Sequence, residues 1–375
     1  MILNREDAIH AANIFVSYYK DFGRIDDYLR QVKLERMAKY PTALPGMGPE
    51  DEFFCDFDMH PQDMEFSLYE PKTSDFVNYL EITTSHAVES SITGKKHLWI
   101  VKEKNTNKIV GFIRFGSPTI NSKPRNNFLG NPLDTSNMDV MKRFNKSCIM
   151  GFIIVPTQPF GFNYLGGKLL AGICCSHLAR ETLNKKYDAN ICMFETTSLY
   201  GTAKTTSMYD GMKPMLKFTG LTESDFVPLI NDDNYLKLND WFKDRNNGDG
   251  LVPDDASSRK LKTQSKMISI IKTSLKEIDM KLYDKFCEVI SEAKNLTQRK
   301  RQYMCTYGFD NVKEYFNLET DTLTKRNNYD RFEFDNIVEW WRKKAINRYE
   351  NLQKDGRLRT ELETWNQKSD IDIIR

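Results

Sequence analysis

Apolar residues in the first ninety positions repeat with helical spacing. They recur every three or four residues over residues 9–15 and again over residues 25–34, and Gly23 separates the two runs. We therefore predict two N-terminal helices. Residues 41–63 combine prolines, glycines and acidic residues, which is typical of a loop or irregular arm. Residues 75–87 are predicted to form a further short helix.

The pattern changes after residue 95, where short apolar runs typical of strands begin. HLWIVKEK and KIVGFIRFG flank Asn-Thr-Asn and are predicted to form a hairpin, and SCIMGFIIV and ICMFETTS are predicted to be further strands. Between the last two, a glycine-containing turn precedes a helical apolar face over residues 169–178. SMYDGMKPMLKFTG is predicted to give a short helix and a last strand. This succession predicts an α/β (α+β) unit.

The C-terminal third returns to helical spacing. Apolar residues from 261 to 293 are three or four apart along most of the stretch, which predicts one helix about 50 Å long. A second apolar stripe runs from Ile337 to Tyr349. The long helix is expected either to pack on this second helix or to form a homodimeric coiled coil. Irregular polar residues beside the seam favour the intramolecular packing.

These elements divide the chain into four predicted regions. Residues 1–94 form an N-terminal helical and irregular region, and residues 95–235 form the α/β domain. Residues 236–258 are rich in Asn, Asp and Gly and are predicted to be a linker, while residues 259–375 form a C-terminal helical domain. We expect a mixed sheet with helices, flanked by helices at both ends of the chain.

Composition excludes several classes of protein. The 54 basic and 52 acidic residues leave a net charge of +2, which does not indicate a nucleic-acid partner without local patches. No His/Cys/Asp set has zinc-ligand spacing, so no metal site is expected. The sequence has no GxSxG motif, so a serine hydrolase is not expected either. The seven cysteines form no CxxC pair and no long apolar run occurs, so we expect a cytoplasmic protein without a membrane span.

One segment has the form of an anion-binding turn. The strand that ends at Pro156 is followed by a glycine-bearing turn and by the start of a helix at Gly166 and Gly167. Free backbone N–H groups and the positive end of a helix meet at such a junction, where a phosphate is stabilised. Lys168 would add a positive charge.

This segment resembles the GNAT superfamily of acyl-CoA-dependent N-acyltransferases. In that family a fourth strand, a turn of the form [QR]-x-x-G-x-[GA] and the following helix hold coenzyme A, and GFIIVPTQPFGFNYLGGKLL takes their place here. The resemblance implies a GNAT-like mixed sheet and acetyl-CoA or another acyl-CoA as cofactor. The cofactor-binding residues that it implies are Ile154, Val155, Gly161, Gly166, Gly167 and Lys168. The turn departs from the pattern, because Gly161-x-x-Tyr164-x-Gly166 lacks the first Gln/Arg and the middle Gly.

A closer resemblance covers roughly residues 95–220. IVGFIRFGSP, FLG, RFNKSCIMGFIIVP, LGGKLLA, FETT and the segment that follows look like the family of the DruA protein of the Druantia anti-phage system, and more distantly like the phage Mom protein, which is GNAT-like and modifies adenine in DNA. The order and spacing of these motifs carry the likeness. The polar lining that it implies is Arg114, Glu195, Thr197, Ser198, Gly201, Thr202 and Tyr209. It also implies a bacterial or phage-infected host cytoplasm.

Acyl transfer to an amine needs a base, polarising donors and an acid for the departing thiolate. The resemblance assigns the catalytic roles to Glu195, Ser198 and Tyr209, with Glu195 as the base and Tyr209 as the acid. It makes Arg114, Thr197 and Thr202 the substrate-binding residues. A DNA base would have to be flipped out or single-stranded to reach such a cleft. The structural alternatives are a salt-bridged strand-end carboxylate, a packed aromatic ring and ordinary turn residues.

Two C-terminal stretches mix cations with aromatic residues. QRKRQYMCTYGF and WWRKKAINRY, which are expected to be helical, have the composition of surfaces that bind phosphates and stack on bases.

The sequence leaves three candidate functions. The first is an acyl-CoA-dependent transferase that modifies an amine of a nucleic-acid base, in a phage or phage-defence setting. The second is a non-catalytic DNA- or protein-binding module on a GNAT-like scaffold, which the altered glycine turn favours. The third is an N-acyltransferase that acts on a protein or small amine.

Overall fold

The computed structural model divides the chain into two compact units. It describes all residues except 21, 24, 40–47, 85–93, 131, 199–205, 223–228, 257–258, 297–299 and 367–375, and the side chains of 25, 26, 36, 39, 295 and 296 are also outside the description. The first unit comprises Met1–Ala38 and Ser224–Gln298, and the second comprises Lys39–Glu223 and Arg299–Arg375. Each unit is therefore assembled from two separated stretches of chain, whereas the sequence led us to expect a succession of four regions.

Helices and strands alternate in the order of a mixed α/β protein, so the predicted α/β class is confirmed. In chain order the described helices are α1 (Arg5–Tyr19), α2 (Ile25–Lys39), α3 (Thr73–Thr83), α4 (Lys123–Leu129), α5 (Met138–Ser147), α6 (Phe160–Tyr164), α7 (Gly166–Cys174), α8 (His177–Tyr187), α9 (Asp232–Asp244), α10 (Arg259–Ile278), α11 (Met280–Leu296), α12 (Val312–Phe316) and α13 (Phe334–Lys354). The described strands are β1 (Phe66–Tyr69), β2 (Lys96–Glu103), β3 (Lys108–Gly116), β4 (Cys148–Pro156), β5 (Met193–Ser198), β6 (Lys217–Leu221) and β7 (Arg301–Cys305).

The first unit is helical, and its core lies between α1, α9, α10 and α11. The buried residues of this core include Phe15, Ile271 and Phe286, and the ring centroids of Phe15 and Phe286 are 6.1 Å apart. The apolar seam of α10 and α11 therefore packs against α1, a partner that the sequence did not suggest. Part of the predicted 236–258 linker is also helical, because α9 continues to Asp244.

The prediction of a single long helix over residues 261–293 is wrong, because the helix is interrupted at Asp279. Oδ1 of Asp279 accepts hydrogen bonds from the backbone N–H groups of Lys281 and Leu282, at 3.0 and 3.3 Å. A carboxylate in this position satisfies N–H groups that have no partner within the helix, and so begins a new helix. The apolar spacing alone does not reveal the break.

The second unit is built on a seven-stranded sheet in the order β1-β2-β3-β4-β5-β7-β6. β4 and β5 are parallel, whereas the other neighbouring pairs are antiparallel. β7 comes from the basic stretch that we expected to be helical, and it lies between β5 and β6. Pairing with two strands that are distant in the sequence overrides the local preference of so short a segment.

Helices cover the two faces of this sheet. On one face, named the α7 face, Leu170 of α7 packs over Gly111 of β3, and Ile337 of α13 contacts Gly172. On the other, named the α4 face, α4 packs against β6 and α3 packs against β2. Arg125 of α4 lies 4.5 Å from the ring centroid of Phe144, which places α5 on the α4 face as well.

The parallel strands β4 and β5 separate after a short paired stretch. Their pairing ends at Gly151 and Thr196, although β4 continues beside β3 to Pro156 and β5 continues beside β7 to Ser198. We name the gap between the diverging strands the wedge. Such a divergence is the place where a parallel sheet leaves room for a ligand or for another part of the chain.

Candidate functional site

Glu195 lies inside the protein on the α4 face. Its side chain is 1 % exposed, and its carboxylate accepts hydrogen bonds from Nη1 of Arg125 at 3.2 Å and from Nε2 of Gln302 at 3.0 Å. Burial raises the pKa of Glu195 to about 7, and the Arg125 guanidinium acts in the opposite direction. The predicted base is thus the centre of a buried ion pair.

The start of α4 positions the arginine of this pair. Ser122 is the N-cap of α4, and its hydroxyl accepts from the Arg125 N–H at 3.4 Å and donates to Oε1 of Gln302 at 2.6 Å. Pro124 stands in the first turn of the helix, where its fixed φ is favourable. Arg125 is fully buried and also donates to the carbonyl oxygen of Thr119 at 2.7 Å. We did not identify Arg125 or Gln302 from the sequence, since neither lies in a recognisable motif.

Tyr209 lies on the α7 face. Its side chain is 5 % exposed, lies beside the side chain of Thr196, and packs edge-on against the ring of Tyr303 at 5.3 Å. Burial raises the pKa of Tyr209. Successive side chains of a strand point to opposite faces, so Glu195 points to the α4 face and Thr196, beside Tyr209, points to the α7 face. The predicted base and the predicted acid therefore lie on opposite sides of the sheet. The structure does not bring Glu195 and Tyr209 into one site.

The turn after β4 uses its backbone N–H groups internally. The N–H groups of Gly161 and Asn163 donate to the carbonyl oxygens of Thr157 and Pro159, both at 2.8 Å, and the N–H of Phe162 donates to Oε1 of Gln158 at 3.1 Å. The turn contains the short helix α6. These groups are therefore not the open anion cradle that the sequence led us to expect.

The start of α7 is covered by the segment around Tyr209. Nζ of Lys168 donates to the carbonyl oxygen of Met208 at 2.9 Å and to that of Asp210. A Cβ at Gly167 would lie 1.9 Å from the terminal methyl of Met208. Burial lowers the pKa of Lys168, and so does the neighbouring Lys344. Residues 207–212, named the wedge turn, thus contact both the start of α7 and Thr196.

The wedge turn is also fixed by a polar cluster. The Tyr303 hydroxyl donates to Oδ1 of Asp210 at 2.8 Å and accepts from Nε of Arg301 at 2.9 Å. Nη2 of Arg301 lies 3.2 Å from the same oxygen of Asp210. The side chains of Arg301, Tyr303 and Asp210 therefore bind one another.

The remaining predicted site residues are spread over the sheet. Ile154 is buried and Val155 half-buried in β4, Gly166 is buried at the start of α7, Thr197 and Ser198 end β5, and Arg114 is buried in β3 opposite Ile153. Thr202 and Gly201 lie outside the described residues. In the described part of the chain, no group of three or more His, Cys, Asp or Glu residues could hold a metal ion. None of the described helices is long and apolar enough to span a membrane.

A half-buried row of side chains on α13 joins cations and an aromatic ring. Trp340, Lys344 and Arg348 are four residues apart, so they lie on one side of the helix. Nζ of Lys344 is 5.4 Å from the ring centroid of Trp340. Trp341, which belongs to the same predicted stretch, is instead fully buried and donates from Nε1 to the carbonyl oxygen of Tyr164 at 2.8 Å.

Residues that we did not predict extend this row. The half-buried ring of Phe162 contacts two guanidinium groups, and its centroid is 4.6 Å from Cζ of Arg348 and 3.9 Å from Cζ of Arg359. The side chain of Asn163 donates to the carbonyl oxygen of Arg359 at 2.7 Å and accepts from its N–H at 3.2 Å, which fixes the C-terminal segment on α6. We name Phe162, Trp340, Lys344, Arg348 and Arg359 the cation–aromatic row.

The middle of the chain is similar to a known protein family. A family model described as Druantia protein DruA matches residues 64–211, a range that includes β1 to β5, α7 and the wedge turn except its last residue. No curated protein and no solved structure matches the chain. The central part of this chain is thus similar to DruA, which supports the association with the Druantia system.

Proposed function

We propose that this chain is a nucleic-acid-binding component of an anti-phage defence system, built on a GNAT-like scaffold that does not carry out acyl transfer. The similarity to DruA supports the defence setting. The observation that carries the binding function is the cation–aromatic row, because positive charges neutralise phosphates while aromatic and guanidinium planes stack on bases.

The position of the predicted catalytic residues argues against acyl transfer. A base and an acid must both reach the reacting atoms. Glu195 is enclosed with Arg125 on the α4 face, and Tyr209 is buried on the α7 face. The wedge turn also covers the start of α7, where the resemblance would place a coenzyme A phosphate.

Features of the scaffold still agree with a GNAT-like origin. The strand that we matched to the acyl-CoA strand is the fourth in the sheet, its parallel neighbour diverges from it, and a turn and a helix follow it. Transfer from acyl-CoA to a DNA base, a protein or a small amine is therefore the competing function. It requires a site other than one formed by Glu195 and Tyr209.

Two titrations on the same preparation separate these functions. We expect the full chain to bind labelled DNA, with an affinity that falls as salt rises. We expect no heat and no thermal stabilisation with acetyl-CoA at millimolar concentration. Saturable acetyl-CoA binding, with turnover of an amine acceptor, would establish the competing function instead.

A pair of double variants tests the surface. Lys344→Glu/Arg348→Glu reverses two charges in the cation–aromatic row. Lys142→Glu/Lys146→Glu makes the same change at the same spacing on α5, on the α4 face, where both side chains are well exposed. We expect the first pair to weaken DNA binding strongly and the second to leave it nearly unchanged. Equal losses in both would show that only net charge matters.

A further inference from the structure

Arg348 and Arg359 lie over the ring of Phe162, and the charge of Arg357 acts on Arg348. Arg348 belongs to α13, whereas Arg357 and Arg359 follow that helix in the chain. Burial lowers the pKa of Arg348, and the positive charges of Arg357 and Arg359 lower it further. Guanidinium groups that repel one another in a half-buried place are stabilised when an anion binds between them.

Arg357 and Arg359 are paired with nearby carboxylates, whereas Arg348 is held in a different way. Arg357 pairs with Asp355 at 2.6 Å, and Arg359 holds both carboxylate oxygens of Glu363, at 2.8 and 3.1 Å. Arg348 has no carboxylate partner among the described residues. Its Nε donates to the carbonyl oxygen of Phe162 at 3.2 Å, so its two terminal nitrogens are available to a ligand.

The surroundings hold the Arg348 guanidinium in a defined orientation. Its Cζ lies over the Phe162 ring, and the hydrogen bond from Nε to the Phe162 carbonyl oxygen restrains its rotation. A planar guanidinium with two free N–H-bearing nitrogens matches two oxygens of one phosphate group. An ammonium group would supply the same charge without that paired geometry.

We propose that Arg348 and Arg359 form a phosphate-binding site beside Phe162, with Arg348 as the residue that contacts the phosphate through both terminal nitrogens. The site deepens the proposed function, on which it rests, by naming the group of the nucleic acid that the protein holds. The same chemistry would also admit free inorganic phosphate. The two sources are separated by experiment.

Inorganic phosphate and oligonucleotides are the probes. For the full chain we expect phosphate to raise the unfolding temperature above that in chloride at matched ionic strength, and we expect Arg348→Ala to abolish the difference. We expect Arg348→Ala to weaken binding of an oligonucleotide about tenfold or more, and Arg348→Lys to recover only part of this loss. Lys343→Ala, an exposed neighbour on the same helix, is the control and should match the wild type.

The possible failures have different meanings. If Arg348→Ala binds DNA like the wild type while Lys344→Glu binds weakly, the phosphate site is wrong and the proposed function stands. If the wild type binds no oligonucleotide but phosphate stabilises it through Arg348, the site exists and the proposed function fails. If Arg348→Lys equals the wild type in every titration, charge alone suffices and the paired contact is refuted.

Discussion

Glu195 and Tyr209 lie on opposite faces of the central sheet, although Tyr209 lies beside Thr196, the residue next to Glu195. The carboxylate of Glu195 is paired with Arg125 under α4, and the Tyr209 hydroxyl reaches Thr196 from the other side. The alternation of successive β5 side chains between the two faces of the sheet explains why the two residues are separated. Each residue stabilises a different layer of the fold, so substitutions at the two positions are expected to have independent effects.

The buried ion pair predicts a large loss of stability in Arg125→Met. Removing the guanidinium leaves the Glu195 carboxylate in the interior without its charged partner, which costs about 3–5 kcal/mol. Urea unfolding of the variant and the wild type measures the difference in unfolding free energy. A loss below about 1 kcal/mol would mean that water reaches Glu195.

The raised pKa of Glu195 predicts the direction of a pH effect. Its pKa in the folded protein, about 7, is above the ordinary value of 4.5, so between these values the folded state binds more protons than the unfolded state. The contribution of Glu195 to the unfolding free energy is therefore greatest at low pH and decreases as pH rises from about 4.5 to 7, by at most about 1.4 kcal/mol per pH unit. Glu195→Gln should remove this slope, and parallel pH curves for variant and wild type would contradict it.

Packing at the wedge turn predicts a coupling between Gly167 and Met208. Gly167→Ala places a methyl group against the end of the Met208 side chain, a flexible group that must move aside, so we expect a cost of at most about 1 kcal/mol. Met208→Ala removes the obstructing atoms, so Gly167→Ala should cost much less in that background. A double-mutant cycle in urea measures the coupling. Additive effects would show that the wedge turn does not rest on α7.

The break between α10 and α11 predicts a role for Asp279 as a helix cap. Asp279→Ala removes the acceptor for two backbone N–H groups and should lower the unfolding free energy by about 1 kcal/mol. Asp279→Asn is the matched control, because it keeps an oxygen acceptor but loses the ion pair with Arg5. If the Asn variant is as unstable as the Ala variant, the ion pair and not the cap stabilises this junction.

Sequence patterns predicted the strands from β2 to β5 and a helix after β4, although the apolar face predicted over residues 169–178 spans the break between α7 and α8. They did not predict β7, since Arg301–Cys305 is short and basic and gains its partners from β5 and β6. The same limit applies to the site. The order of motifs suggested Glu195 and Tyr209 together, but their faces depend on how β5 and the wedge turn are placed in three dimensions.

The cation–aromatic row was predicted only in part for a related reason. Helical spacing identifies Trp340, Lys344 and Arg348 as neighbours, and their exposure follows from Trp341 occupying the core. Phe162 and Arg359 are almost 200 positions apart in the chain and meet through the side chain of Asn163. No local pattern contains that contact.

The salt dependence of DNA binding tests the central claim most directly. Fluorescence anisotropy with a labelled oligonucleotide, repeated over a range of salt concentrations, gives the slope of log affinity against log salt for the wild type and for Lys344→Glu/Arg348→Glu. If the cation–aromatic row holds the phosphates, the double variant should bind more weakly and its slope should be lower by about 2. An unchanged slope and affinity in this variant would contradict the account.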